Sequence, residues 1–228
     1  MKNLFKYFEN YFLSLIVKFF RKAKTKKKIP LDDDSKLLII ILRNNSEALL
    51  TTPLIRIIKK NSNAQISILT NLGNRNVFKN NSDIDQIYIA ENTFSKILSH
   101  SKSLRQLDYD VLINSGEIYS EAEIIYSALL KAKYKIGFAD IEDKIFSHLI
   151  QKPNPAVTHF VDRTLHLCDY FYFEVDKTNL NLNCSTTKDA DDEIDRFLLS
   201  VFDSSKLLVI VNISSEINKN FWGVENYK

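Results

Sequence analysis

From Lys36 onward the sequence alternates short apolar runs with amphipathic stretches, and this alternation leaves the chain few architectures. KLLIIIL (36–42) leads into a helical pattern over Glu47 to Lys60, whose apolar face carries Leu49, Leu50, Leu54, Ile57 and Ile58. AQISILT (64–70) precedes a short helix in NRNVFKNN. IDQIYIA (84–90) precedes a helix over roughly Thr93 to Leu107, Val111–Ile113 precedes the helix SEAEIIYSALLKAK, and YKIGFA closes the series. Strands that alternate with helices pair in parallel, with the crossover helices laid on the sheet. The strand runs are apolar throughout, as expected of strands buried on both faces. The predicted fold is therefore α/β: a Rossmann-like parallel sheet with helices on both faces.

In such a fold ligands gather at the carboxyl ends of the strands. The first such end here is the turn RNNSE (43–47), and it contains no glycine. Glycine is scarce everywhere, with 4 residues in 228 against a usual frequency of about 7%. Loops that cradle phosphate generally need it, and no phosphate-loop fingerprint is present, which argues against an ordinary nucleotide-binding α/β protein. What the turn does carry is Glu47, at the mouth of its helix. One reading makes it a catalytic carboxylate, the other a first-turn acid that favours the helix dipole by about 0.3–1 kcal/mol.

The N-terminal residues form a separate pattern. Leu4, Phe5, Phe8, Phe12, Leu15, Ile16, Phe19 and Phe20 recur at helical spacing, and Lys18 to Lys28 then holds seven basic residues in a chain whose net charge is only +3. The apolar stretch around Tyr11 to Val17 falls well short of the about 20 residues that span a bilayer. Most of the charge follows it, unlike a secretory signal. Residues 1–28 are read as an amphipathic helix in a membrane interface with its lysines on anionic head groups; packing on the protein's own core and a marginal anchor are the alternatives. IPLDDDSK would then be a linker. Cys168 and Cys184 are expected to be free thiols in a reducing compartment. No metal-ligand spacing, cofactor motif or nucleic-acid partner is expected.

Beyond the fifth strand, QKPNPAVTHFVDRTLHLCDYF reads as a loop and a helix, and DKTNLNLNCSTTKDADDE as an interdomain connection. The helix DDEIDRFLLSVF and the strand KLLVIVNI start a second βα region that stops at Lys228. One helix and one strand do not make a sheet domain. The expected division is 1–29 amphipathic basic helix, 36–175 Rossmann-like domain, and 186–228 an incomplete start of a second domain.

The order and spacing of LLTTPLIRIIKK, AQISILTNLGNRNVFKNNSDIDQIYI, LDYDVLINSG, AKYKIGF, HFVDRTLHL and NKNFWGVENY resemble glycosyltransferase family 9, the ADP-heptose:lipopolysaccharide heptosyltransferases, from about Lys36 to Lys228. The resemblance implies the N-terminal half of a GT-B fold, with a lipid A core acceptor on the N-terminal domain and a nucleotide sugar, ADP-heptose or similar, on the other. It implies metal-free, inverting transfer at the cytoplasmic face of a bacterial inner membrane.

It also assigns residues. The family's Gly-Asp before Thr-Thr-Pro falls, by count from Pro53, on Ser46 and Glu47, which makes Glu47 the candidate base. Ser46, Thr51, Thr52 and Arg56 fall on the acceptor side, where Lys59 and Lys60 could also meet acceptor phosphates. His159 and Arg163 match an HxxxR pattern of structural character. Ser214, Ser215 and Lys219 fall on the donor diphosphate, although by strict count Asn220 holds the lysine's position and Gly223 replaces a proline. The lengthened carboxylate, the lost glycine and the unfinished second domain imply a truncated transferase of reduced or no activity. A non-catalytic membrane-surface module with the same fold is the alternative.

Overall fold

The computed structural model describes residues 15–139, 143–178, 180–184, 186–201, 207 and 209. The chain divides into two units, 1–185 and 186–228. In the first, six strands form one sheet in the order β3-β2-β1-β4-β5-β6, all parallel: β1 (Lys36–Ile41), β2 (Gln65–Thr70), β3 (Gln86–Ile89), β4 (Tyr109–Asn114), β5 (Ala132–Phe138) and β6 (His148–Ile150). The helices between them are α1 (Asn45–Leu50), α2 (Thr52–Asn61), α3 (Arg75–Phe78), α4 (Phe94–Arg105) and α5 (Glu121–Leu129), and α6 (Phe160–Leu165) follows β6.

Each strand feeds two cores. Leu37, Ile39 and Ile41 point to a face covered by α1, α2 and α6. Leu38 and Ile40 point to the opposite face, covered by α4 and α5. Both sets are essentially inaccessible to water, which is why the run lacks a polar alternation.

The structure differs from the sequence reading in three places. The helix expected over 47–60 is two helices that meet at Thr51. Pro53 has no N–H to give the Leu49 carbonyl four residues back. Thr52 Oγ1 donates to that carbonyl instead, at 2.8 Å, and Thr51 Oγ1 bonds the Glu47 carbonyl at 2.7 Å. The Thr-Thr-Pro triplet is thus a built helix joint, with the Thr52 hydroxyl filling the one acceptor that the proline leaves and the Thr51 hydroxyl adding a second bond to a carbonyl that already accepts the Thr51 amide.

The second difference is β6, a three-residue edge strand absent from the sequence reading. The third is that the described part of the basic segment, 15–29, is docked on the domain. Ile16 and Val17 are buried in the α4–α5 core. Residues 22–29 run beside β6: the Lys22 and Thr25 amides bond the carbonyls of Lys144 and Ser147, and Ile29, fully buried, bridges to Phe171. Lys28 Nζ donates to the Asp169 and Phe171 carbonyls. The segment read as leading into a free linker therefore covers a sheet edge, which protects its unpaired backbone groups.

In the second unit the described element is α7 (Lys188–Val201), with Asp189 and Asp191 in its first turn and the Thr186 hydroxyl bonded to Asp191. Apart from Leu207 and Val209, the strand expected at 206–213 lies outside the described residues, as do Ser214, Ser215 and Lys219 and most of the helix expected over 1–20.

Candidate functional site

The strand order reverses between β1 and β4. The chain builds β2 and β3 outward on one side of β1, then returns to lay β4 on the other. The loops after β1 and β4 therefore diverge and leave a crevice at their carboxyl ends, the usual ligand position in an open α/β sheet. RNNSE is the β1 side of this crevice, and Ser115–Ser120 is the β4 side.

Side-chain bonds rather than glycines shape the β1 turn. Asn44 caps α1, its Oδ1 accepting from the Glu47 amide at 2.9 Å. From the β2 loop, Asn71 Nδ2 donates to the Leu42 and Arg43 carbonyls at 3.0 and 2.8 Å, and Asn74 Nδ2 to the Arg43 carbonyl at 2.7 Å. Across the crevice, Ser115 Oγ donates to the Ile40 carbonyl, and Asn114 Oδ1 takes the Gly116 amide. Asparagine and serine side chains bond locally to backbone and so replace a glycine turn.

Three carboxylates meet this crevice. Glu47, half-buried, accepts from Arg43 Nε at 3.2 Å and from Asn44 Nδ2 at 3.3 Å. A carboxylate has about four acceptor positions, so Glu47 keeps capacity for a further donor. Glu117 forms a two-bond ion pair with Arg163, which also holds the Thr158 carbonyl; this ties the β4 loop to α6. Glu123 has no solvent exposure. Its Oε2 takes the Ser120 amide and hydroxyl, each at 2.7 Å, in a capping box, while Oε1 has no partner and faces Gly116. Burial pushes the Glu123 carboxyl above the usual range; the Ser120 bonds and the Arg43 charge oppose this, and the Glu47 charge adds to it. The crevice thus pairs a partly exposed carboxylate, Glu47, with a buried one, Glu123, whose carboxyl is held above the usual range. A cavity of about 370 Å³, lined by Asn92, Phe94, Ser120, Glu121 and Ile125, opens at the N-termini of α4 and α5.

The sequence-derived residues distribute unevenly. Ser46 is exposed beside Glu47 and lies within α1. Its backbone has no positive φ; among the described residues only Asp108 does, apart from glycines, so the serine carries no strain from the lost glycine. Thr51 and Thr52 are buried, and Thr52 also accepts from the Asn183 amide at 2.9 Å. Arg56 donates to the Asn181 carbonyl, and Lys59 and Lys60 pair with Asp85 and Asp176. His159 caps α6 through Nδ1. Sequence reasoning missed Arg43, Glu117 and Glu123; of these, the Ser120-x-x-Glu123 capping signature was readable. Cys168 and Cys184 are free thiols, and burial pushes the Cys168 thiol upward.

No protein-family model matches the sequence, and no curated protein is similar to it. Solved structures are similar in fold. A glycosyltransferase family 9 protein from Veillonella parvula superposes with a TM-score of 0.74 at 16% identity, covering 88% of this chain and 60% of that one. The fold is that of glycosyltransferase family 9. E. coli heptosyltransferase WaaC, solved with ADP, gives a TM-score of 0.55 at 14% identity, covering 63% of this chain and 49% of its own. E. coli ADP-heptose lipopolysaccharide heptosyltransferase II gives 0.52 at 13%, with 72% and 50% covered. The chain therefore spans about half to 60% of the length of these family 9 proteins. The Rossmann-like sheet with helices on both faces is the architecture they share.

Proposed function

We propose that the unit over 36–185 is the acceptor side of a family 9 sugar transfer. The supporting observation is Glu47: an accessible carboxylate at the β1–β4 crevice of this fold, four residues before the Thr-Thr-Pro joint. Glu47 takes the proton from an acceptor hydroxyl as that oxygen bonds the anomeric carbon, and the donor's diphosphate leaves with the electrons of the broken bond. The donor is ADP-heptose or a similar nucleotide sugar, and the acceptor a lipopolysaccharide core sugar. Residues 1–28 hold the protein on the inner face of a bacterial inner membrane. The cavity at α4 and α5 is within the size range of ligand sites. Ser214, Ser215 and Lys219 are assigned to the donor diphosphate, and no metal is required.

Glutamate's extra methylene moves the carboxylate by more than about 1 Å relative to aspartate, a displacement that costs on the order of 100-fold, so transfer is reduced. Transfer from ADP-heptose to a core oligosaccharide, followed by mass spectrometry, tests the assignment. Glu47→Asp with Ser46→Gly should raise the rate and Glu47→Gln should abolish it; no change in either removes Glu47 from the reaction.

A further inference from the structure

At the opposite end of the sheet from the crevice, a cavity of about 260 Å³ is lined by Phe19, Phe20, Arg21, Lys22, Arg105, Ala128, Leu129, Lys131 and Lys135, among others. The cations come from four parts of the chain: the basic segment, the last turn of α4, the α5–β5 connection with Lys131, and β5. Lys135 is 3% exposed; its Nζ donates to the Ser127 and Ala128 carbonyls at 2.6 and 3.0 Å. Lys22 Nζ donates to the Ala132 carbonyl at 2.8 Å. The Ser127 and Ala128 carbonyls end α5 and that of Ala132 begins β5, so Lys135 has a structural role as a helix-end partner and Lys22 one at the start of the strand. These roles leave the charge unbalanced.

Among the described residues no carboxylate pairs with Arg21, Lys22, Arg105 or Lys135; the one acid bonded at the rim, Asp108, is held by Lys131 at 2.8 Å. Burial, then the nearby charges of Lys22 and Arg105, push Lys135 down to about 7, as expected of cations gathered without a counter-anion. Arg21 and Arg105 are exposed, and guanidinium groups match phosphate oxygens in a two-bond geometry. Beside them Phe19 is 84% exposed, a large ring directed at solvent within the basic segment.

We propose that this pocket binds the phosphate of an anionic membrane lipid, with Arg21 and Arg105 on the phosphate and Phe19 entering the acyl boundary. The lipid surface is favoured over a free phosphate ester because the pocket is continuous with seven basic residues in Lys18–Lys28 and with an exposed aromatic ring. The inference rests on the membrane-surface reading of residues 1–28 but moves part of the contact onto α4. Arg105 lies 77 positions beyond the end of the basic run, so its substitution separates the two ideas.

The test is flotation of the full chain with vesicles of phosphatidylglycerol and phosphatidylcholine, and with phosphatidylcholine alone. Arg105→Gln and, separately, Arg21→Gln should each weaken binding to the anionic vesicles by about five-fold, the effect of one basic residue at such a surface. Lys79→Gln, an equal charge loss at an exposed site outside the pocket, should change it less. Thermal melting checks that each variant is folded, and both arginines are exposed, so the pair keeps the test open if one variant misfolds. Equal effects of Arg105→Gln and Lys79→Gln overturn the pocket while leaving a general membrane attraction. Absence of binding by the unaltered chain overturns the membrane reading itself. Full competition by millimolar glycerol phosphate shows a free-phosphate site and overturns the lipid assignment.

Discussion

Gly137 in YKIGFA is a position where the fold has no room for a side chain. It lies in β5, paired with Leu149 of β6. A Cβ built there would sit 2.7 Å from Tyr119 Oη and 2.9 Å from two ring atoms of Phe146. Neither neighbour retreats easily: Phe146 is completely buried, and Tyr119 Oη donates to the Phe138 carbonyl at 2.8 Å. Gly137→Ala therefore forces overpacking, costing about 1–3 kcal/mol, and strains a hydrogen bond worth about 1 kcal/mol. The relief of glycine's backbone entropy returns about 0.5–1 kcal/mol. A net loss of about 2 kcal/mol lowers the melting temperature by about 4–8 °C for a domain of this size. Urea and thermal unfolding followed by circular dichroism measure it. Phe146→Leu makes space, so the double variant should lose less than the two single losses together. A Gly137→Ala variant that melts within about 1 °C of the unaltered chain would refute the steric account, because such a clash is worth several degrees.

Three further outcomes follow from the same contacts. Because burial raises the Glu123 carboxyl in the folded state, the native chain holds this proton more tightly than the unfolded chain, so its contribution is complete below the unfolded pKa and is lost as pH rises through the folded one. Glu123→Gln removes that loss, so its stability relative to the unaltered chain should improve as pH rises from about 4 toward neutrality, the range set by the ordinary carboxylate value; a pH-independent difference would contradict it. Thr52→Val removes the hydroxyl that donates to the Leu49 carbonyl and accepts from the Asn183 amide, at about 1–3 kcal/mol in all, and Thr52→Ser should recover most of it in urea titrations. Arg163→Ala leaves Glu117 partly buried without its partner and should cost about 3 kcal/mol in the same assay.

The sheet was legible because its strands are buried twice over. Leu37 to Ile41 feed both cores, so the run had to be uniformly apolar, and the helices between such runs were readable by period. β6 was not legible, since His148–Ile150 is three residues long and one of them is histidine. That His148 is fully buried, its ring bonded to Ser147 and to the Lys27 carbonyl, depends on a segment 121 residues away. The basic run was legible only in part for a related reason: charge patterning marks lysines as solvated, whereas Lys22 and Lys28 bond carbonyls of the domain through Nζ. The strand-turn-helix that puts RNNSE at the candidate crevice was readable. Its electrostatics were not, because Arg43 and Glu47 meet Glu123 from an element more than 70 positions along the chain. The missing glycines also have a physical answer: Asn44, Asn71 and Asn74 hold the turn by side-chain bonds.

The central claim is that the β1–β4 crevice receives a sugar acceptor. Titration of the 15N-labelled chain with a lipopolysaccharide core oligosaccharide, followed by amide chemical shifts, tests it directly. The account predicts that the amides of Asn44–Glu47 and Ser115–Glu117 shift together and saturably, and that Glu47→Gln weakens the response. Shifts absent from both loops, or confined to residues at the amino ends of the strands, would contradict it.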